Sequence, residues 1–296
     1  MKIAVIGGTG QLGLALKSVP VGADCTMSFY NREACDLSQE IHKTEKFIDG
    51  LQGFDVIIIA AAYTAVDAAE TDKAVAHRVN GEAPAAIAKI CAIHNICVVY
   101  ISSDYVFNGN ATSPYKPEQS KDPLNIYGMS KHAGEVGILA SGAPAVILRT
   151  TWVFDGKGKN FMTTMLKLGK NHSQIKVIDD QVGRPTYAGD LAKACVRAAE
   201  KIHKNSACSG IYHVSGSGKP ISWASFATAI FARAYPYFES PVHINRVESK
   251  EFPTIALRPK YSVLDVKSFE LMFDMILPTW EEGLDKAIDE WKIKDI

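Results

Sequence analysis

The stretch Lys2-Ile-Ala-Val-Ile6-Gly7-Gly-Thr-Gly10-Gln-Leu-Gly13-Leu-Ala-Leu16 decides the fold. A short apolar run, Lys2–Ile6, stops at glycine and gives way to the helix-forming Leu12–Leu16. Glycines let backbone approach a pyrophosphate, and the helix start offers amide donors and the positive end of its dipole. Strand, glycine turn and helix in that order predict the first unit of a dinucleotide-binding sheet, with Gly7, Gly10, Gln11, Leu12 and Gly13 at the phosphates. A tight strand–helix turn without ligand is the plainer reading of the same glycines.

Outward from this unit, apolar runs alternate with helical segments. Cys25–Phe29, Val56–Ile59, Val98–Ile101 and Val146–Leu148 read as strands, and the unbroken ones suit a parallel sheet buried on both faces. Ser38 is placed to cap a helix running to about Leu51. A helix from Asp67 to Cys91 should break or kink at Gly81 and Pro84. Asn108–Asp122 is polar and turn-rich, a loop over the sheet edge, and the next helix runs to Leu139. Later, Phe161–Leu168, Leu191–His203 and Trp223–Tyr235 read as helices. Ile175–Ile178, Ile211–Val214 and Val242–Arg246 read as strands. Trp280, Leu284, Ile288 and Trp291 form one apolar helix stripe. The expected fold is α/β: a doubly wound parallel sheet of Rossmann type over residues 1–155, with later segments returning to it, and a smaller α/β substrate lobe, mainly 156–296.

The chemistry centres on four residues. Ser103 and Asp104 fall at the C-terminal end of the Val98–Ile101 strand, the edge where open α/β sheets bind ligands. Tyr127 and Lys131, four apart, share one helix face. A protonated lysine beside a phenol favours the phenolate, so Tyr127 should fall from about 10 toward working pH. Tyr127 then serves as proton donor and acceptor in a carbonyl/alcohol interconversion. Ser103 is placed to bond the same oxygen. Alone, the Tyr/Lys pair also reads as a surface helix pair. Its position after a glycine turn and a strand-end serine gives it weight. Trp152, just past a strand end, is either a sugar-stacking face or core.

After the second strand the chain reads Tyr30-Asn-Arg32, with no acid where a Rossmann fold that prefers NAD usually carries one. Arg32 suits a 2′-phosphate, so NADPH is expected, with NADH the alternative. A solvated loop arginine is the competing reading. Ala60-Ala-Ala62 would let a dinucleotide lie close, or would simply pack a helix start.

The chain carries 32 basic and 32 acidic residues, which removes the overall basic footprint of a nucleic-acid binder. Six cysteines without a C-x-x-C pair read as reduced thiols, and eight histidines lack the His-Glu-x-x-His spacing of a zinc hydrolase. The first residues are too quickly interrupted by glycine for a signal peptide, and no run approaches the roughly 20 apolar residues of a membrane span. A soluble cytoplasmic protein is expected.

Gly7-Gly-Thr-Gly10-Gln-Leu-Gly13, Ser103 and Tyr127/Lys131 together resemble the extended short-chain dehydrogenase/reductase family, and more narrowly the dTDP-4-dehydrorhamnose reductases. Further matching stretches include Ala60–Asp67 with Glu70, Val79-Asn80, Ser103–Phe107, Pro123–Gly128, Arg149–Phe154, Lys159–Phe161, Asp180–Thr186 and Leu257–Pro259. The resemblance implies NADPH-dependent reduction of the C4 keto group of dTDP-4-dehydro-L-rhamnose, the last step to dTDP-L-rhamnose for cell-surface polysaccharide. It implies that Lys131 tunes Tyr127 and holds the cofactor ribose. Asp36 and Leu37 would build the adenine pocket, and Ala61, Ala62 and Thr64 would contact the cofactor. Ser103, Asp104, Tyr105, Val106 and Trp152 would meet the dTDP-sugar. Asn80 matches a polar position of the wider family. Some members form metal-bridged dimers through acidic side chains, but Ala15 stands where the acid is expected. No metal is therefore assigned, and a monomer or homodimer is expected, without nucleic-acid or membrane partners. Two alternatives stay open. One is another nucleotide-sugar 4-ketoreductase, epimerase or dehydratase. The other is a non-catalytic relative such as a methionine adenosyltransferase regulatory subunit, against which Ser103, Tyr127, Lys131 and Trp152 argue.

Overall fold

A computed structural model describes residues 1–238 and 241–295. Its first half alternates regularly: β1 (Lys2–Ile6), α1 (Gln11–Lys17), β2 (Thr26–Tyr30), α2 (Ile41–Asp49) and β3 (Val56–Ile59). Two short helices follow, α3 (Val66–Ala69) and α4 (Lys73–His77), then a π-turn over Arg78–Glu82. α5 (Ala83–His94), β4 (Cys97–Ser103), α6 (Ile126–Leu139) and β5 (Ala145–Thr150) complete it.

From one edge the main sheet runs Gly210–His213, β5, β4, β3, β1, β2, with every neighbouring pair parallel. The chain steps from β1 outward to β2, then returns to the other side of β1 with β3. The β1/β3 boundary is therefore the switch point, where a crevice opens beyond the strand ends. Alternate residues explain how both faces stay dry. Ile3 and Val5 pack with α1 and helix Ala188–Lys204, while Ala4 and Ile6 pack with Leu37, Ile48 and α5.

Three local features depart from the sequence reading. β2 begins one residue later than expected. α2 begins at Ile41 rather than after Ser38, because the Ser38 amide and hydroxyl both donate to Asp36 Oδ1, at 2.9 and 2.7 Å. Ser38 thus closes a loop around Asp36 instead of capping a helix. The long helix over 67–91 is interrupted twice, between α3 and α4 and at the π-turn. Pro84 has no N–H to give the Asn80 carbonyl, and its ring crowds that carbonyl, so the helix widens. The Asn80 carbonyl accepts the Tyr100 phenol instead, at 2.7 Å.

A second body gathers Phe154, Met165, Phe226, Trp280, Leu284 and Trp291 around its own core. Its strand Gln174–Ile178 pairs in parallel with His243–Val247. The chain crosses between the two bodies repeatedly. It leaves after β5, returns with helix Ala188–Lys204 and strand Gly210–His213, and leaves again for His243–Val247. It returns with Phe269 and Phe273 and departs once more with helix Trp280–Asp295. Among the described residues no helix is long and apolar enough to cross a membrane.

Candidate active site

β4 delivers Ser103 to the sheet edge, and a single 3-10 turn, Asp104–Val106, carries the chain away. α6 then starts under a side-chain cap: Asn125 Oδ1 accepts the Gly128 N–H at 2.8 Å. A Cβ on Gly128 would collide with the Tyr105 carbonyl, so this glycine lets the helix start lie directly on the 104–106 turn. Tyr127 consequently meets Tyr105 edge to face, ring centroids 5.4 Å apart, and its phenol faces the Ser103 hydroxyl. One turn on, Lys131 is 2% exposed, with Nζ 4.3 Å from the centre of the Tyr100 ring. Ser103 and Tyr127 thus face one another, and Lys131 lies buried one turn further along the same helix.

Their electrostatics differ from the expectation. Burial pushes the Tyr127 phenol up to about 12, against the pull of its bond with Ser103. Burial pushes Lys131 down to about 7, opposed by Glu135. The spacing argument counted the charge of Lys131 and missed the desolvation of both partners, so the sign for Tyr127 is reversed. Behind them Glu135 is fully satisfied. Arg149 donates to its two oxygens at 2.7 Å each, and Ser102 donates at 2.6 Å. Although burial alone would raise it, Arg149, His132 and Ser102 hold the Glu135 carboxyl at about 2.

At the switch point Gly7 has φ +96°, and a Cβ there would sit 2.5 Å from the Ala61 amide nitrogen. Only glycine lets the turn after β1 press against the end of β3. α1 opens at Gln11 without a side-chain cap, so its first amides are left for another partner. Beside Gly10, apart from its chain neighbours, only the Gly7 carbonyl at 3.5 Å comes within 4 Å of where a Cβ would stand. An open cradle of unsatisfied amides fits a dinucleotide diphosphate. Leu12 and Gly13 are buried beneath it, and Gln11, Ala61 and Ala62 are half-buried around it, with Thr64 exposed nearby. Leu37 is buried in the core with Ile57 and Ile59. Arg32, expected to stand free for a phosphate, pairs with Asp36 at 3.2 Å and donates to Ser38 at 3.1 Å. Its side chain is 76% exposed, so it keeps donors for solvent or ligand. Although burial pushes Asp36 upward, Ser38 and Arg32 hold its carboxyl at about 2.

Trp152 sits with φ +48°, a left-handed conformation unusual for so large a side chain. One face of its indole stacks on Trp223, with ring centroids 3.5 Å apart and planes 11° from parallel. Trp152 therefore joins the aromatic group of the second body, and Trp223 enters the site without having been singled out from sequence. Asp67, Asn125 and Arg258 were quoted in matching stretches but given no role. Arg258 pairs with Asp67 at 2.6 Å, Asp67 also accepts the Ala256 N–H, and Asn125 donates to the Leu257 carbonyl at 2.7 Å. These bonds pin the 256–258 segment onto α3 and the start of α6. A helix-cap signal at Asn125 was readable; the Asp67–Arg258 pair, 191 residues apart, left none. Asn80 brackets the Tyr63 backbone and donates to Ser130, which ties the π-turn to α6. Among the described residues no group of three or more His, Cys, Asp or Glu is placed to hold a metal ion, and all six cysteines are free.

A Rossmann sheet carrying Ser103 at the end of its fourth strand, with Tyr127 and Lys131 opening the next helix, defines an oxidoreductase of the short-chain dehydrogenase/reductase class. The family model described as the RmlD substrate binding domain matches residues 1–293. The dTDP-4-dehydrorhamnose reductase of Salmonella typhimurium is 35% identical over 294 residues, 98% of each chain. The spore coat polysaccharide biosynthesis protein SpsK of Bacillus subtilis is 35% identical over 290 residues, 98% of this chain and 97% of its own. A crystal structure of dTDP-4-dehydrorhamnose reductase from Bacillus anthracis, in complex with NADP, matches with a TM-score of 0.88 at 33% identity, covering 98% of this chain and 99% of that one. The chain belongs to the dTDP-4-dehydrorhamnose reductase family.

Proposed function

We propose that this chain uses NADPH to reduce the C4 carbonyl of dTDP-4-dehydro-L-rhamnose to dTDP-L-rhamnose, the last step in supplying that sugar for cell-surface polysaccharide. The observation that carries the reading is that Tyr127 faces Ser103 at the end of β4, with Lys131 buried one turn further along α6, on the same edge of the parallel sheet as the Gly7–Gly13 cradle. The name of the Bacillus subtilis relative supports the polysaccharide context. The NADP complex of the Bacillus anthracis relative supports the cofactor.

Bound NADPH supplies the hydride. Tyr127 gives its proton to the carbonyl oxygen as charge develops there, and a phenol near 12 remains protonated until that moment. Ser103 lies beside the same oxygen and lowers the cost of its charge. Lys131, poised near 7, is charged when a phenolate forms beside it and so stabilises that phenolate. The 256–258 segment and the Trp152/Trp223 pair wall the sugar side of the cleft. The test is a stopped assay of dTDP-4-dehydro-L-rhamnose and of UDP- and GDP-linked 4-keto sugars, each with NADPH and NADH. Turnover of the dTDP sugar with NADPH above all others is expected. Preference for another sugar nucleotide, or for NADH, would overturn the corresponding part.

A further inference from the structure

Asp104 follows Ser103 directly, yet its carboxyl lies inside the protein, 3% exposed. The Ser103 hydroxyl donates to Asp104 Oδ1 at 2.9 Å and accepts the Tyr105 N–H at 3.2 Å. A serine has one proton and two lone pairs. With Asp104 ionised, that proton points away from the cleft, and only a lone pair is left to face Tyr127. In this state Ser103 has no proton for a carbonyl oxygen. The second Asp104 oxygen, Oδ2, is buried without a hydrogen-bond partner, as is Thr151 Oγ1.

We propose that Asp104 governs the direction of the Ser103 hydroxyl, so that protonating this carboxyl turns Ser103 from an acceptor into a donor toward the reacting oxygen. The inference rests on the reductase reading above and makes Asp104 a positioning residue acting through Ser103. A protonated Asp104 donates to Ser103 Oγ and frees the serine proton to turn into the cleft.

The groups facing Asp104 from every side are neutral. They are the hydroxyls of Ser103 at the end of β4, Thr151 after β5 and Ser262 from the C-terminal segment, with the phenols of Tyr105 and Tyr127. Arg258 stands against Tyr105 and spends its charge on Asp67. Nothing holds Asp104 ionised as Arg149 holds Glu135. Burial pushes it up to about 6, against the pull of its bond with Ser103 and the nearness of the Ser262 and Thr151 hydroxyls, which make no formed bond to it. The donating state of Ser103 therefore fills as pH falls through that value and empties above it.

The experiment has two arms. In the first, kcat/KM for the 4-keto sugar nucleotide with NADPH is followed from pH 5 to 9 in the wild type, Asp104→Asn and Ser103→Ala; kcat/KM reports groups of the free enzyme. The wild-type rate should fall by about 10²-fold above the step, the order expected for losing one donor to a developing oxyanion. It should level near the Ser103→Ala rate, and neither variant should show the step through about 6, while any change from Lys131 near 7 should appear alike in all three. In the second arm, carboxyl-labelled aspartate is titrated by carbon NMR in the enzyme without substrate, the Asp104 signal being the one lost in Asp104→Asn. Its midpoint should lie well above the ordinary aspartate value of about 3.9 and should move in Ser103→Ala. A step that persists in Asp104→Asn, or an ordinary midpoint, overturns the inference. If the wild type turns over no 4-keto sugar, the reductase reading fails, and the NMR arm still decides the state of Asp104 and its coupling to Ser103.

Discussion

Lys131 and Glu135 sit one turn apart on α6, equally buried and opposite in charge, and the protein treats them differently. Glu135 receives two bonds from Arg149 and one from Ser102, and stays ionised down to about pH 2. Lys131 has an aromatic face for company and is pushed down to about 7. A buried charge with every lone pair satisfied fixes a scaffold; one left short of partners is held ready for something that has yet to bind. The contrast separates the two roles along a single helix face.

Tyr127→Phe probes the under-satisfied side most strongly. Removing the phenolic proton should lower kcat by about 10²–10⁴-fold, the usual worth of general acid catalysis, with NADPH affinity and melting temperature unchanged. Wild-type turnover in the variant would end the assignment. Arg149→Met strikes the satisfied side. It strands the Glu135 carboxylate in the core, and breaking a buried pair costs about 3–5 kcal/mol. Denaturant titration should show that loss; a variant as stable as the wild type would mean that Glu135 is held by something other than Arg149.

Lys131→Met sharpens the comparison, because here the stability effect should have the opposite sign. Turnover and cofactor binding should drop while stability at neutral pH holds or rises. Lys131 is near 7 in the fold and near the ordinary value of about 10.4 when unfolded. Between those values the unfolded chain binds the extra proton, so wild-type stability gains from this residue as pH rises from about 7 to 10. The wild type should therefore gain on the variant across that window, and a difference in melting temperature that stays constant from pH 7 to 10 would mean that Lys131 is not shifted.

Trp152→Ala removes a stacking face worth about 0.5–1.5 kcal/mol beyond its buried area. A raised KM for the sugar nucleotide is expected, with a lower kcat from poorer alignment. A change confined to melting temperature would make the Trp152/Trp223 stack purely structural. Arg32→Ala should have the smallest effect, about tenfold weaker NADPH and little change for NADH, since one exposed cation already shared with Asp36 is lost. Equal losses for both cofactors would make Arg32 a prop for the Asp36 loop.

The sheet was readable because its signals are local. Val56–Ile59 and Val98–Ile101 are unbroken apolar runs, and they form adjacent buried strands. Gly7 and Gly13 announce a turn that no side chain could make. Ser103, Tyr127 and Lys131 were legible as an order of residues, and β4 and α6 set the first two face to face. What failed depended on surroundings. Ser38 resembled a cap until Asp36 claimed both its donors. The Tyr127 shift had the wrong sign because pair spacing carries no information about burial. Trp223 and Arg258 reach the site from distant parts of the chain, and no window of sequence contains both a residue and its partner.

The repeated crossings of the chain between its two bodies also limit how the molecule can be divided. Residues 188–214 and 266–277 complete the core beneath the sheet, although the intervening segments build the other body. No single cut releases either body whole. A truncation that keeps the glycine turn, Ser103 and Tyr127 would still lack the edge strand Gly210–His213 and the helix that covers one face of β3, β4 and β5. The nucleotide-binding and sugar-facing parts are therefore not modules to be expressed alone or exchanged between relatives at one junction. They are one object, threaded so that neither half exists without the other.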